Sequence, residues 1–169
     1  MSDRFHGIYR AHQAMVRTVI FQIAGASQVN DLTQEAFVRV WKKLPAFRGQ
    51  SSLRSWIYRI AVNVALDAVR AQARRAEDFL VPDVASESPD AERLLMSREL
   101  VAKGLAALSA DHRAVVVLAL LHEFSLSEVA EILGVSLGTV KSRLHYGRQH
   151  FQSLLEEKGE PSWKMAKTI

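Results

Sequence analysis

Between Leu53 and Val69 the apolar residues Leu53, Trp56, Ile57, Ile60, Ala61, Val64, Ala65, Ala68 and Val69 recur at intervals of three and four. That spacing follows the roughly 3.6-residue turn of an α-helix and does not fit the alternation of a half-buried strand. A helix of this length with one apolar face must bury it against other elements, and the flanking sequence supplies them as further helices. Phe5 to about Ala24 places Ile8, Met15, Val19 and Ile23 at helical spacing, and Gly25 punctuates its end. Asp31 is the expected cap of a next helix whose stripe is Phe37, Val40, Trp41 and Leu44, with Pro45 as its stop. No segment calls for a strand, so the predicted class is all-α.

A second constraint lies in Ser125 to Arg148, SLSEVAEILGVSLGTVKSRLHYGR, which reads as two short helices around a turn. Ser127 is the expected cap of the first, which buries Val129, Ala130, Ile132 and Leu133. Gly134 can adopt the left-handed conformation that turns the chain, and Ala130 is small enough for a second helix to cross closely. Ser136 caps that second helix, where Val140 and Leu144 face inward while Thr139, Lys141, Ser142, Arg143, Tyr146 and Arg148 mostly face outward. The outer face holds no acid. Cations that neutralise phosphates or read guanine edges, beside hydroxyls that bond to either, are what docking in a DNA groove requires. A plain helical hairpin with a solvated basic face would share the glycine. It gives no reason for the small crossing residue, the capped second helix and the acid-free face to coincide.

Charge is distributed unevenly over the 169 residues. Arg39 to Arg75 holds nine lysines and arginines against one acid, Asp67, whereas Glu77 to Glu99 holds seven acids against Arg93 and Arg98. Two basic blocks divided by acidic chain imply two separated nucleic-acid contacts. Pro82, Pro89 and the polar run between them read as a linker from about Arg75 to Asp90. Such a stretch, extended, spans on the order of 50 Å and could hold two DNA readers apart. Glu92 to Leu108 is expected to be helical. Ser109 caps a further helix that carries the aliphatic run Val115 to Leu121.

Several function classes recede on composition. With no cysteine there is no disulfide, thiol nucleophile or cysteine-ligated zinc. The six histidines have no ligand spacing, so no metal is expected and no cofactor is implied. No acid, histidine and nucleophile gather at a recognisable spacing, which argues against an enzyme. The longest apolar run, Ala114 to Leu121, falls short of the roughly 18 residues of a membrane span, and the N-terminus lacks a signal peptide's apolar region. A cytoplasmic protein is expected.

In the first block the string DLTQEAFVRVWKKLPAFRGQSSLRSWIYRIAVNVALD, and in the second LSADHRAVVVLALLHEFSLSEVAEILGVSLGTVKSRLH, resemble in order the bacterial extracytoplasmic-function sigma factors. The resemblance implies two small helical domains joined by a flexible linker. Residues 1–75 would form region 2, 76–92 the linker, 93–155 region 4 with its helix-turn-helix, and 156–169 a tail. It also implies a subunit that binds core RNA polymerase and directs it to promoters. The helix from Asp31 to Leu44 would dock on the polymerase beta-prime clamp helices through Asp31, Gln34, Glu35, Val38, Arg39 and Lys42. Phe47, Arg48, Ser51, Ser52, Tyr58, Arg59 and Asn63 correspond to the minus-ten reader, where an extruded base stacks on an aromatic ring. Ser136, Gly138, Thr139, Lys141, Ser142, Arg143, Tyr146 and Arg148 correspond to the minus-thirty-five reader. Tyr146 departs from the family pattern, which often has a base there. An anti-sigma factor is the other partner the resemblance implies. Two readings stand beside it: a free-standing helix-turn-helix regulator, and a sigma mimic that sequesters an anti-sigma factor. The first calls for a dimer seam that the sequence lacks, and the second for loss of DNA-reading residues that are present.

Overall fold

The structure, a computed structural model, describes residues 2–75 and 101–157. The expected linker, the first part of the helix expected from Glu92 and the end of the tail lie outside the described residues. Helix α1 spans Ser2–Ala24, α2 Val29–Lys43 and α3 Leu53–Arg75, with a short 3-10 turn Leu44–Ala46 between the last two. After residues 101–107 (α4) come α5 Ala110–Val116, a π-helical turn Val117–Leu121, α6 Leu126–Leu133 and α7 Leu137–Glu157. Among the described residues there is no strand.

Helices α1, α2 and α3 pack mutually, and α5, α6 and α7 form a second group. Val16, Val19, Ile20, Ile23, Phe37, Val40, Ile57, Ala61 and Val64 fill the first; Val115, Leu118, Val129, Ile132, Val140 and Leu144 fill the second. Helix α3 also packs on α5 and α6, and α1 on the π-turn, so one apolar core runs through both groups. The expectation of two readers held apart is therefore not what this structure shows. The reason lies on α3 itself. Besides the predicted stripe it carries Tyr58, Val62 and Leu66 at intervals of four, all buried, and this second stripe faces the other group.

Local details depart from expectation in three places. Asp31 sits in the first turn of α2 but does not cap it; Gln28 occupies the cap position without a side-chain bond. Trp41 is not in the buried stripe, which consists of Val29, Leu32, Ala36, Phe37 and Val40 before Leu44; Trp41 lies outside it. Ser125, not Ser127, caps α6 through a reciprocal box with Glu128: its hydroxyl accepts the Glu128 N–H, and its own N–H donates to the Glu128 carboxylate at 2.9 Å. Ser109, Ser136 and Gly25 behave as read: Ser109 accepts the His112 N–H, Ser136 the Thr139 N–H, and Gly25 ends α1 at φ 85°.

The π-turn widens the last turn of its helix, with His122 N–H donating to Val117 O at 3.1 Å, and the chain then reverses at Glu123. Glu123 has φ 57°, the left-handed region where a Cβ costs about 1–2 kcal/mol. Glu123→Gly removes that strain, and the extra freedom of an unfolded glycine offsets part of it, so the chain should gain roughly 0.5–1 kcal/mol. Urea denaturation of both proteins checks this; a destabilised variant would show that the Glu123 side chain itself stabilises the turn.

Candidate nucleic-acid interface

The α6–α7 unit is built from local chemistry. Gly134 takes φ 66° and its N–H donates to Ala130 O, while Val135 N–H donates to the same carbonyl at 3.1 Å. One carbonyl of the last turn takes both donors, and the chain turns sharply into α7. Ser136 Oγ accepts the Thr139 N–H at 3.1 Å and lies 2.9 Å from Thr139 Oγ1, which fixes the first turn of α7. Val140 and Leu144 anchor the helix inward. Gly138, Lys141, Ser142, Tyr146 and Arg148 are exposed, Tyr146 at 61%. Arg143 is half-buried, because its guanidinium pairs with the Asp111 carboxylate of α5 at 2.8 Å. The same carboxylate meets Arg70 of α3 at 3.0 Å.

On the first group the loop after α2 presents Phe47 against Trp56, ring centroids 4.9 Å apart and tilted by 40°. Phe47 thus has a packing partner one turn into α3, which the sequence reading did not assign it. Arg48 and Ser52 are exposed and Ser51 is half-buried; Ser52 caps α3 by accepting the Ser55 N–H at 3.0 Å. Phe47, Arg48, Ser51, Trp56 and Arg59 line an open recess of about 200 Å³. Its wall is completed by Glu131 of α6, whose backbone carbonyl accepts from Arg59 and whose carboxylate lies 3.7 Å from it. Asn63 is exposed. Tyr58 is not: it is 1% exposed and packs edge-on against Phe124 at 4.6 Å. The expected minus-ten set therefore divides, with most of it around the recess and Tyr58 in the seam between the groups.

The outer face of α2 gathers Asp31, Gln34, Glu35, Val38 and Lys42 in solvent, with Arg39 pairing with Glu35 beside them. Val38 and Trp41 are each 48% exposed. Two apolar side chains amid both signs of charge suit a detachable protein contact. Trp41 was missed as a surface residue because its spacing from Phe37 also fits a buried stripe; its offset of three from Val38 was the available signal. Among the described residues no acids and histidines gather to hold a metal ion, and no helix is long and apolar enough to cross a membrane.

Comparison with known proteins matches residues 8–75 to the sigma-70 region 2 model and residues 98–151 to a sigma-70 region 4 model. The ECF RNA polymerase sigma-E factor of Escherichia coli K12 is 33% identical over 151 residues, covering 82% of this chain and 79% of that protein. The ECF sigma factor SigE of Mycolicibacterium smegmatis is 34% identical over 155 residues; the match covers 88% of this chain but only 60% of that longer relative. Among solved structures, the sigma factor RpoE of Bartonella quintana, crystallised with the anti-sigma factor NepR, superposes with a TM-score of 0.74. It is 26% identical and covers 90% of this chain and 97% of its own. CnrH, in complex with the cytosolic domain of CnrY, gives 0.70 at 26% identity, covering 93% and 90%. With both regions present in order and the helix-turn-helix built as its residues require, the chain belongs to the extracytoplasmic-function sigma factors, subunits that direct transcription initiation.

Proposed function

We propose that this chain joins core RNA polymerase through the outer face of α2, with Trp41 added to Asp31, Gln34, Glu35, Val38, Arg39 and Lys42. Residues 1–75 form the docking and minus-ten unit, and 93–155 the minus-thirty-five unit. The recess beside Phe47 takes an extruded non-template base, with Arg48, Ser51, Ser52, Arg59 and Asn63 around it. The stacking energy of about 1–3 kcal/mol per base offsets part of the unpairing cost. Helix α7 enters the major groove as duplex reader through Ser136, Gly138, Thr139, Lys141, Ser142 and Arg143, with Arg148 toward phosphate. Tyr146 supplies a ring and a hydroxyl where charge would anchor a phosphate. The protein acts in the cytoplasm, by binding and not by catalysis. Because RpoE of Bartonella quintana is solved with the anti-sigma factor NepR, an anti-sigma factor is the further partner expected of this chain.

The observation that carries this reading is the capped, acid-free outer face of α7 on the left-handed Gly134 turn. Run-off transcription with purified core polymerase and a genomic promoter library tests it: specific transcripts that require this chain are expected, and their absence with a folded chain overturns it. Arg143→Ala should weaken promoter binding. A bidentate base contact contributes about 1–3 kcal/mol, and releasing Asp111 consumes part of it, so a loss of about 1 kcal/mol is expected in a duplex titration. An unchanged titration would remove Arg143 from the reader.

A further inference from the structure

Among the polar contacts in the seam between the two groups is a histidine that touches both α1 and α3. His122 Nδ1 lies 2.6 Å from Tyr58 Oη of α3, and His122 Nε2 lies 2.7 Å from Gln22 Oε1 of α1. One imidazole, carried on the loop after the π-turn, thus ties both long helices of the first group to the second. Arg54 closes over it: its guanidinium sits 4.5 Å from the Phe124 ring centre and 5.5 Å from that of Tyr58, and it donates to the His122 carbonyl at 3.2 Å.

The hydrogen bonds fix one proton of the ring. Gln22 Oε1 can only accept, so Nε2 carries the proton and donates. Tyr58 stays a neutral phenol, since burial pushes its ionisation up, and its hydroxyl donates to a bare Nδ1. A second proton on the ring would reverse that bond and place a cation beneath Arg54. Burial and the Arg54 charge hold His122 down at about 4 against an ordinary 6.5. Other charged or titratable groups near the site, among the described residues, are His12 on α1, itself lowered by burial and by Arg54, Glu123 next to His122 in the chain, and Glu128, which feels the Arg54 charge. Glu128 is held low by its bonds to Ser125 and remains an anion bound in its own capping box.

We propose that the packed arrangement is a closed state latched by neutral His122, and that mild acid releases it. Of the residues assigned above, the closed state engages two: Arg59 is held by Glu131, and Arg143 by Asp111, which it shares with Arg70. Its consequence for promoter binding rests on the proposed function; the latch itself does not. A group whose pKa is depressed in the closed form and ordinary in the open form favours opening as pH falls through the open value. Between pH 7.5 and 5.5 the opening constant should rise about tenfold.

The chain has no cysteine, so a dye pair on Gln13→Cys and Gln149→Cys, both exposed, reports separation of the groups by single-molecule energy transfer in the full-length protein. The ratio of open to closed molecules should rise about tenfold on acidification. It should not change in His122→Gln, and His122→Lys should be open at both pH values. A pH-independent ratio, or a His122→Gln protein that responds as fully as its parent through His12, overturns the latch. Titration of the His122 ring by NMR in the unsubstituted protein needs no variant: a midpoint well below 6.5 supports the proposal, and an ordinary midpoint overturns it. None of these readouts involves DNA or polymerase, so a failure of the promoter assignment leaves them unaffected.

Discussion

Arg113→Met should destabilise the protein by about 3 kcal/mol, the upper range for hydrogen bonds to a charged group whose partners are then left unpaired. Arg113 lies on α5, half-buried, and its guanidinium is spread over main-chain carbonyls. Nε donates to Leu105 O at 2.6 Å, Nη1 to Ile23 O at 2.7 Å, and Nη2 to Ala106 O and Leu108 O at 3.0 Å each. Leu105 and Ala106 stand in the last turn of α4 and Ile23 in the last turn of α1, where carbonyls have no partner within their own helix. A single planar cation therefore terminates two helices from opposite halves of the molecule, and it also faces the negative ends of both helix dipoles. Burial draws the guanidinium pKa down, the expected sign for a cation held by neutral carbonyls. Methionine keeps the aliphatic stem and its packing but leaves these carbonyls under the surface. Lysine should rescue only partly, because an ammonium cannot span the same fork. The midpoint of thermal unfolding should fall by about 10 °C for a chain of this size. A loss under about 1 kcal/mol would mean that water satisfies the carbonyls as well as the guanidinium does.

Nothing in the sequence announces Arg113, and the reason is physical. Periodicity reports which side chains leave water, so it found the α3 stripe, the α7 inward pair and the aliphatic run of α5. Turn and cap chemistry is local, so Gly134, Ser136 and Ser109 were legible too. The Ser125 box was misplaced by one helical start because Ser125 and Ser127 both offer a hydroxyl, and only Ser125 has a glutamate three residues on. Contacts between the halves depend on which faces meet, which no local pattern records. By the family resemblance Tyr58 belongs with Arg59 in the minus-ten reader. It becomes core only because Phe124 and His122 cover it. The same packing explains why Arg143, placed by its spacing among groove-facing residues, instead points toward Asp111. A Tyr58, Val62, Leu66 spacing of four was the one visible sign that α3 has a second buried face.

Gly147→Ala should destabilise the chain by about 2 kcal/mol, against the ordinary expectation that alanine for glycine strengthens a helix. Gly147 lies in α7, where the missing side chain would add roughly 0.5–1 kcal/mol of helix stability if space allowed. Space does not allow it. A Cβ at this position would sit far inside van der Waals contact of Val116 Cγ2 and 3.8 Å from Val116 Cβ. Val116 is buried at the end of α5 and, being β-branched, has little rotamer freedom in a helix. The clash must be relieved by moving α7 away from α5, and overpacking of this kind costs about 1–3 kcal/mol. The penalty exceeds the propensity gain, so the sign of the substitution is set by packing. The cause can be isolated by pairing it with Val116→Ala, which opens the space the new methyl needs. The double variant should be more stable than the sum of the two single losses predicts, by about 1–2 kcal/mol of coupling in a double-mutant cycle. Additive losses would show that α7 is displaced for another reason. Because α7 carries the side chains proposed to enter the groove, the single variant should also weaken duplex binding without any change to those residues, and Val116→Ala should restore it in the same protein.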